Sequence, residues 1–136
     1  MMFVLQAEPL DASLFRAAVN DPEFGAILIF EGVARNNFEG RDVLGLTYEA
    51  YAAMALPQME KIAEEAMEQW PKIKVAIGHR TGAVAIGEAS LVIAVGAPHR
   101  PECYAANRFV LEAIKDRLTV WKKEIYSDGA CWKANI

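Results

Sequence analysis

The segment Lys115-Asp-Arg-Leu-Thr-Val-Trp-Lys-Lys-Glu124 sets Lys115, Arg117, Lys122 and Lys123 against only Asp116 and Glu124, in a chain whose net charge is −4. Apolar Ile114 and Ile125 flank it. Cations crowded at a core boundary repel one another and lose hydration, so such a group usually exists to meet an anion. A second pair, His99-Arg100, precedes Pro101 at a junction between a strand pattern and a helix pattern, and Arg35 closely follows the apolar run Ala26 to Val33. Three element ends offering positive charge predict one pocket for an anionic small molecule.

Each group also has a plainer reading. A helix N-terminus favours anions, and Arg100 would add a bidentate fork. Equally, His99 could cap the helix and Arg100 be solvated; position alone does not choose. Lys115 could be a snorkelling lysine whose charge suits a helix C-terminus. Lys122 lies between Trp121 and Ile125 in a period-two pattern. If Trp121 faces the core, Lys122 faces water or a pocket, and Lys123 shares the Trp121 side. Lysine is depleted in strands, which favours a functional Lys122. Arg35 follows Gly32-Val-Ala, and a glycine near a strand end permits close approach of a ligand. Cys103 stands four residues after His99, but no orienting acid completes a Cys–His nucleophile.

These residues need elements to position them. Phe3 to Ala7 reads as a first strand, and Asp11 caps a short helix to Asn20 with Leu14, Phe15 and Val19 as its apolar side. Gly25 to Val33 reads as a central strand, Asn36 to Asp42 as a loop, and Leu44 to Tyr51 as a strand. Met59, Ile62, Ala63, Ala66, Met67 and Trp70 follow helical spacing. Pro57 is expected in the first turn of that helix, and Pro71 ends it. Lys74 to His79 and Ala89 to Gly96 are strand-like, with Gly82 and Gly87 bracketing a bend. Pro101 starts a second long helix with Ala105, Ala106, Phe109, Val110, Ala113 and Ile114 as its stripe. A strand begins at Val120, and a last one includes Cys131 to Ala134. The order is α+β, in one domain over residues 1–136.

Bulk properties remove several function classes. An apolar fraction of 54% supports a real core, and a negative net charge argues against nucleic acid as a partner. No apolar stretch approaches the ~20 residues that span a membrane, and the first residues lack a signal peptide's basic front, so the expected location is cytoplasmic. Walker, Rossmann, HExxH and GxSxG motifs are absent. Cys103 and Cys131 form no CxxC and read as reduced thiols. With His79 and His99 they fit no standard zinc spacing, so no metal is expected.

Taken in order, Gly32-x-x-Arg35-Asn36, Tyr48-Glu-Ala-Tyr51, His79-Arg80-x-Gly82, His99-Arg100, and Lys115 with Trp121-Lys-Lys-Glu124 resemble the large, catalytic subunit family of molybdopterin synthase. The likeness covers almost everything from Gly25 to Trp132. Thr119 stands where the family commonly has proline, and Gly129-Ala-Cys-Trp132 replaces a more polar segment.

The resemblance implies an α/β-hammerhead fold, with a mixed or antiparallel sheet and two long helices. It implies a homodimer that binds a small ubiquitin-like sulfur carrier at each end, giving a heterotetramer. The implied reaction is sulfur transfer from a thiocarboxylate on the carrier's C-terminal Gly-Gly to cyclic pyranopterin monophosphate, forming molybdopterin with no cofactor. The implied substrate-binding positions are Val33, Ala34, Arg35, His99, Arg100, Lys115, Lys122, Lys123 and Glu124, and the implied catalytic ones are Lys115 and Lys122. From the residues alone, a non-catalytic module binding an anion or phosphometabolite stays open.

Overall fold

The structure, a computed structural model, describes residues 1–127 and 129, and the backbone course of 130–134. The strands are β1 (Met2–Gln6), β2 (Ala26–Val33), β3 (Asn37–Phe38), β4 (Arg41–Ala50), β5 (Lys74–Arg80), β6 (Gly82–Val84), β7 (Ala89–Ala97), β8 (Val120–Tyr126) and β9 (Gly129–Ala134). The helices are α1 (Ala12–Val19), α2 (Ala52–Gln69) and α3 (Arg100–Arg117). A four-stranded sheet runs β1-β5-β7-β2, and a second sheet runs β3-β4-β8-β9 with β6 also on β4. In the first sheet β1 and β5 are parallel and the other neighbours antiparallel; the second is antiparallel throughout.

The four-stranded sheet is buried on both faces. Ala76, Val92 and Ala94 face α1, where they meet Phe15 and Val19. Val75, Ile77, Leu91, Ile93 and Val95 point the other way, into a core shared with α2, α3 and the inner face of the second sheet. Two glycines let α1 lie flat. A Cβ on Gly96 would come within 2.0 Å of the Val19 carbonyl oxygen, and one on Gly78 within 2.3 Å of the Phe15 ring.

Four sequence expectations need correction. The run Gly25 to Val33, read as a central strand, forms β2, which lies at the edge of its sheet among the described residues. Pro57 sits in the second turn of α2, because the helix starts at Ala52. The extra turn is held by the Ala55 N–H donating to the Tyr51 carbonyl (2.9 Å) and by full burial of Ala55. Tertiary packing thus offsets the hydrogen bond that proline removes. The polar segment 36–42 contains a hairpin, β3 to β4, turning at Glu39 (φ 50°) and Gly40 (φ 78°), the positive-φ pair of a tight hairpin turn. Finally, the apolar faces are shifted. Leu14 and Ala105 are exposed, while Cys103 and Asn107 join the buried side of α3. Asn107 is no defect there, since its amide donates to the Leu28 and Ile93 carbonyls at 3.2 Å each, tying α3 to both β2 and β7.

Two bulges set the faces of the site-bearing strands. Gly32 lies opposite Leu91 and Val33 opposite Ala89, which leaves Ser90 as the extra residue. Val43 lies opposite Tyr126 and Gly45 opposite Ile125, which leaves Leu44 extra and exposed. A bulge re-aims side chains without ending the strand. It is why Val43 and Leu46, three apart, are both buried.

Buried His79 and Arg80 end β5. The Arg80 guanidinium donates to the Ala7 and Ala83 carbonyls and to Glu88, stitching three chain segments. Burial drives the His79 imidazole down to about 4 from 6.5, the Arg80 carbonyl opposing and the Lys115 charge assisting.

Two outcomes follow for stability. Gly96→Ala should destabilise by at least about 1–3 kcal/mol through overpacking against α1; an unchanged denaturation midpoint would contradict the close approach. The unfolded chain takes up a proton near pH 6.5 that the folded His79 refuses until about pH 4. Stability present above pH 6.5 is therefore lost as pH falls through that window, by about 3 kcal/mol from this group. Urea titrations from pH 7 to 4 should show a shallower decline for His79→Gln, and parallel curves would remove His79 as the cause.

Candidate active site

A cavity of about 120 Å³ opens between the end of β2, the β3–β4 hairpin, the C-terminal part of α3 and the inner face of β8. Lys115 reaches it from the last turn of α3, Lys122 and Glu124 from β8, and Arg35 from the segment after β2. Lys122 Nζ stands 3.3 Å from Glu124 Oε1. Glu124 is only 3% exposed, and the Tyr126 hydroxyl donates to its other oxygen. Arg41 covers the Tyr126 ring at 3.6 Å, so this carboxylate is walled in from the second sheet's edge. At the mouth, Arg35 lies 5.7 Å from the Phe38 ring centroid, and the short hairpin carries that ring.

The floor is polar and connected. Tyr48, opposite Lys122 in register, donates its hydroxyl to Ser90 Oγ at 3.2 Å. Ser90 in turn donates to the Gly32 carbonyl at 3.3 Å. The Ser90 bulge turns that hydroxyl into the cavity. Behind Tyr48, the His79 ring stands edge-on at 4.9 Å. Burial, and then the Glu124 charge despite the Ser90 bond, raise the Tyr48 phenol above its ordinary value, so it is a neutral donor. Burial, then the neighbouring Lys122, lower the Lys115 ammonium's proton affinity.

The orientation of β8 reverses one expectation. Trp121 is 46% exposed and Ile125 is also on the outer face, while Val120, Glu124 and Tyr126 are buried. The side bearing Trp121 and Ile125 faces out, and the side bearing Lys122 and Glu124, with Val120 and Tyr126, faces in. Lys123 shares the Trp121 side and does not line the cavity. Val33 lines it, but Ala34 is core, its N–H donating to the Glu88 carbonyl.

His99 and Arg100 are elsewhere in the chain. His99 is the N-cap of α3, in a capping box with Glu102. Arg100 lies against Gly25 to Leu28 at the start of β2. Fifteen residue steps along the helix separate Arg100 from Lys115, about 22 Å at a rise of about 1.5 Å each. Within one chain the expected single pocket therefore gathers Arg35, Lys115 and Lys122 but not the His99–Arg100 pair. Cys103 is buried, its thiol donating to the Val95 carbonyl at 3.2 Å, and burial raises its pKa, so it is not an activated nucleophile. No metal-binding cluster occurs among the described residues, and the Cys131 side chain lies outside them.

The sequence reading gave no role to Tyr48, His79 or Ser90 beyond the first two's part in the resemblance. One signal was available: Ser90 is the only hydroxyl in the apolar run Ala89-Ser-Leu-Val-Ile-Ala-Val-Gly-Ala97. Thr119, the departure from proline, uses the N–H that proline lacks. Its N and Oγ1 both donate to Gln58 Oε1 (2.9 and 3.0 Å), fixing the α3–β8 turn onto α2.

Comparison with known proteins identifies the fold and the family. Molybdopterin synthase catalytic subunit of Taeniopygia guttata is 43% identical over 132 residues, covering 96% of this chain and 85% of that one. The crystal structure of molybdopterin synthase from Staphylococcus aureus superposes with a TM-score of 0.92 at 36% identity, covering 95% of this chain and 94% of that chain. A complex of subunits 1 and 2 of molybdopterin-converting factor from Helicobacter pylori shares the fold, with a TM-score of 0.78 at 21% identity over 96% and 88% of the two chains. The family model described as MoaE protein matches residues 5–117, and the chain belongs to that family.

Proposed function

We propose that this chain is the catalytic subunit of a molybdopterin synthase, inserting sulfur from a thiocarboxylated carrier into cyclic pyranopterin monophosphate. The observation that carries the reading is the meeting of Lys115 and Lys122 at one cavity with Arg35 at its mouth, in a member of this family. Substrate phosphate and carrier tail are both anionic, and this cavity offers cations on three sides. Lys122, paired with Glu124, is suited to stabilise negative charge developing on the thiocarboxylate carbonyl. Lys115, whose proton is held less tightly than an ordinary lysine's, is suited to pass a proton.

The carrier is proposed as a small ubiquitin-like subunit ending in Gly-Gly, in keeping with the two-subunit Helicobacter pylori relative. No helix among the described residues is long and apolar enough to cross a membrane, and we place the reaction in the cytoplasm.

A cavity of about 120 Å³ is small beside the roughly 300–1,000 Å³ of ordinary ligand pockets. A second copy of the chain can complete it. Among the described residues β2 is an edge strand of its sheet, with an apolar sequence of the kind that invites pairing. Arg100 lies beside the first residues of β2, and Lys115 and Arg35 beside the last. Antiparallel pairing of β2 with its two-fold mate would bring the partner's Arg100 end to this chain's Arg35 end. His99 and Arg100 then serve the partner's substrate.

Three assays check this. Lys115→Ala and Lys122→Ala should each lower molybdopterin formation by at least roughly tenfold, about 1.4 kcal/mol of lost stabilisation. Lys123→Ala should be milder. Wild-type turnover in both single variants, with the carrier bound, would leave only an anion-binding module. For the dimer, separately inactive Arg100→Ala and Lys115→Ala proteins are mixed and allowed to exchange subunits. Mixed dimers hold one intact composite site each, so activity should return to roughly a quarter of wild type; no recovery despite exchange would place both residues in a site within one chain.

A further inference from the structure

We infer that His79 is a positioning residue for Lys115: its Nε2 accepts a hydrogen bond from the Lys115 ammonium and holds that lysine toward the reacting atoms. The inference rests on the proposed catalytic role of Lys115.

The geometry points this way in three steps. His79 is 1% exposed and its Nδ1 lies 2.7 Å from the Arg80 carbonyl oxygen. A carbonyl cannot donate, so Nδ1 carries the proton and Nε2 is the accepting nitrogen. The ring cannot turn away, because it is wedged edge-on against Tyr48 at 4.9 Å, and Tyr48 lines the cavity together with Lys115. Finally, Lys115 is near enough for its charge to oppose protonation of His79.

The groups facing Lys115 explain why a neutral acceptor is suited to this place. Lys122 and Glu124 come from β8, Tyr48 from β4, Arg35 from the segment after β2, and His79 from β5. Glu124 is engaged by Lys122 and Tyr126. A second carboxylate beside Lys115 would bind its proton tightly and repel the anionic substrate. A solvent-like site would leave the side chain mobile. An imidazole held neutral orients the ammonium, favours its charged form by one hydrogen bond, and still lets the proton go.

The test uses the fact that the chain has only two histidines. In protein labelled with ¹⁵N-histidine, His79 should be neutral at pH 7, protonated on Nδ1, with an Nε2 resonance displaced by Lys115→Gln. A proton on Nε2, or an Nε2 resonance indifferent to Lys115→Gln, overturns the inference. The pH dependence of Lys115 acetylation by trace acetic anhydride, read by peptide mass spectrometry, gives a second arm. His79→Asn keeps a donor for the Arg80 carbonyl but places no acceptor at Nε2, and should move the Lys115 midpoint down by about one pH unit. His79→Gln, which can present an oxygen there, should stay near wild type. Midpoints unmoved in both variants also overturn it. If His79→Asn does not fold, the resonance experiment on wild type and Lys115→Gln decides alone. Neither arm reads turnover. An active Lys115→Ala enzyme would defeat the catalytic reading while leaving the contact standing, and the reverse result would defeat only this inference.

Discussion

Two ammonium groups share one small cavity, and much of the surrounding structure answers their repulsion. Lys115 and Lys122 come from different elements, so neither helix nor strand alone bears the strain. Lys122 has a carboxylate 3.3 Å away, and that carboxylate is fixed by Tyr126, which lies under Arg41. Lys115 is partly dehydrated at the end of α3, where the helix dipole favours a cation. The Gln58–Thr119 bonds fix the turn between the two elements and hence the distance between the two charges. The carboxylate beside Lys122 offsets part of the repulsion between the two ammonium groups.

The sequence made the elements legible because their periods are clean. The stripe of α2, the continuous apolar runs of β2 and β7, and the proline-marked start of α3 all emerged within a few residues of where they are. The cations of the site were legible too, since Lys115, Lys122 and Arg35 are conspicuous at element ends in an acidic chain. Three things were not. Bulges at Ser90 and Leu44 change which residues face inward, and a one-residue slip flips a strand's faces. The facing of β8 could not be read because Trp121 looks like core, yet this strand turns its charged side in and its tryptophan out. The separation of Arg100 from Lys115 along α3 is a simple matter of helix rise, but it counts only once both are known to lie on the same helix.

The Ser90 bulge also has a reach beyond its own strand. Ser90 takes a hydroxyl bond from Tyr48 on one sheet and gives one to Gly32 on the edge strand of the other. The floor of the cavity is thus fastened to β2, an edge strand of its sheet among the described residues. A change near Gly32 on that strand is passed by these bonds to the Tyr48 ring and to the imidazole that stands edge-on to it. Residues of the strand near Gly32 are therefore constrained by the floor of the cavity as well as by the sheet they belong to.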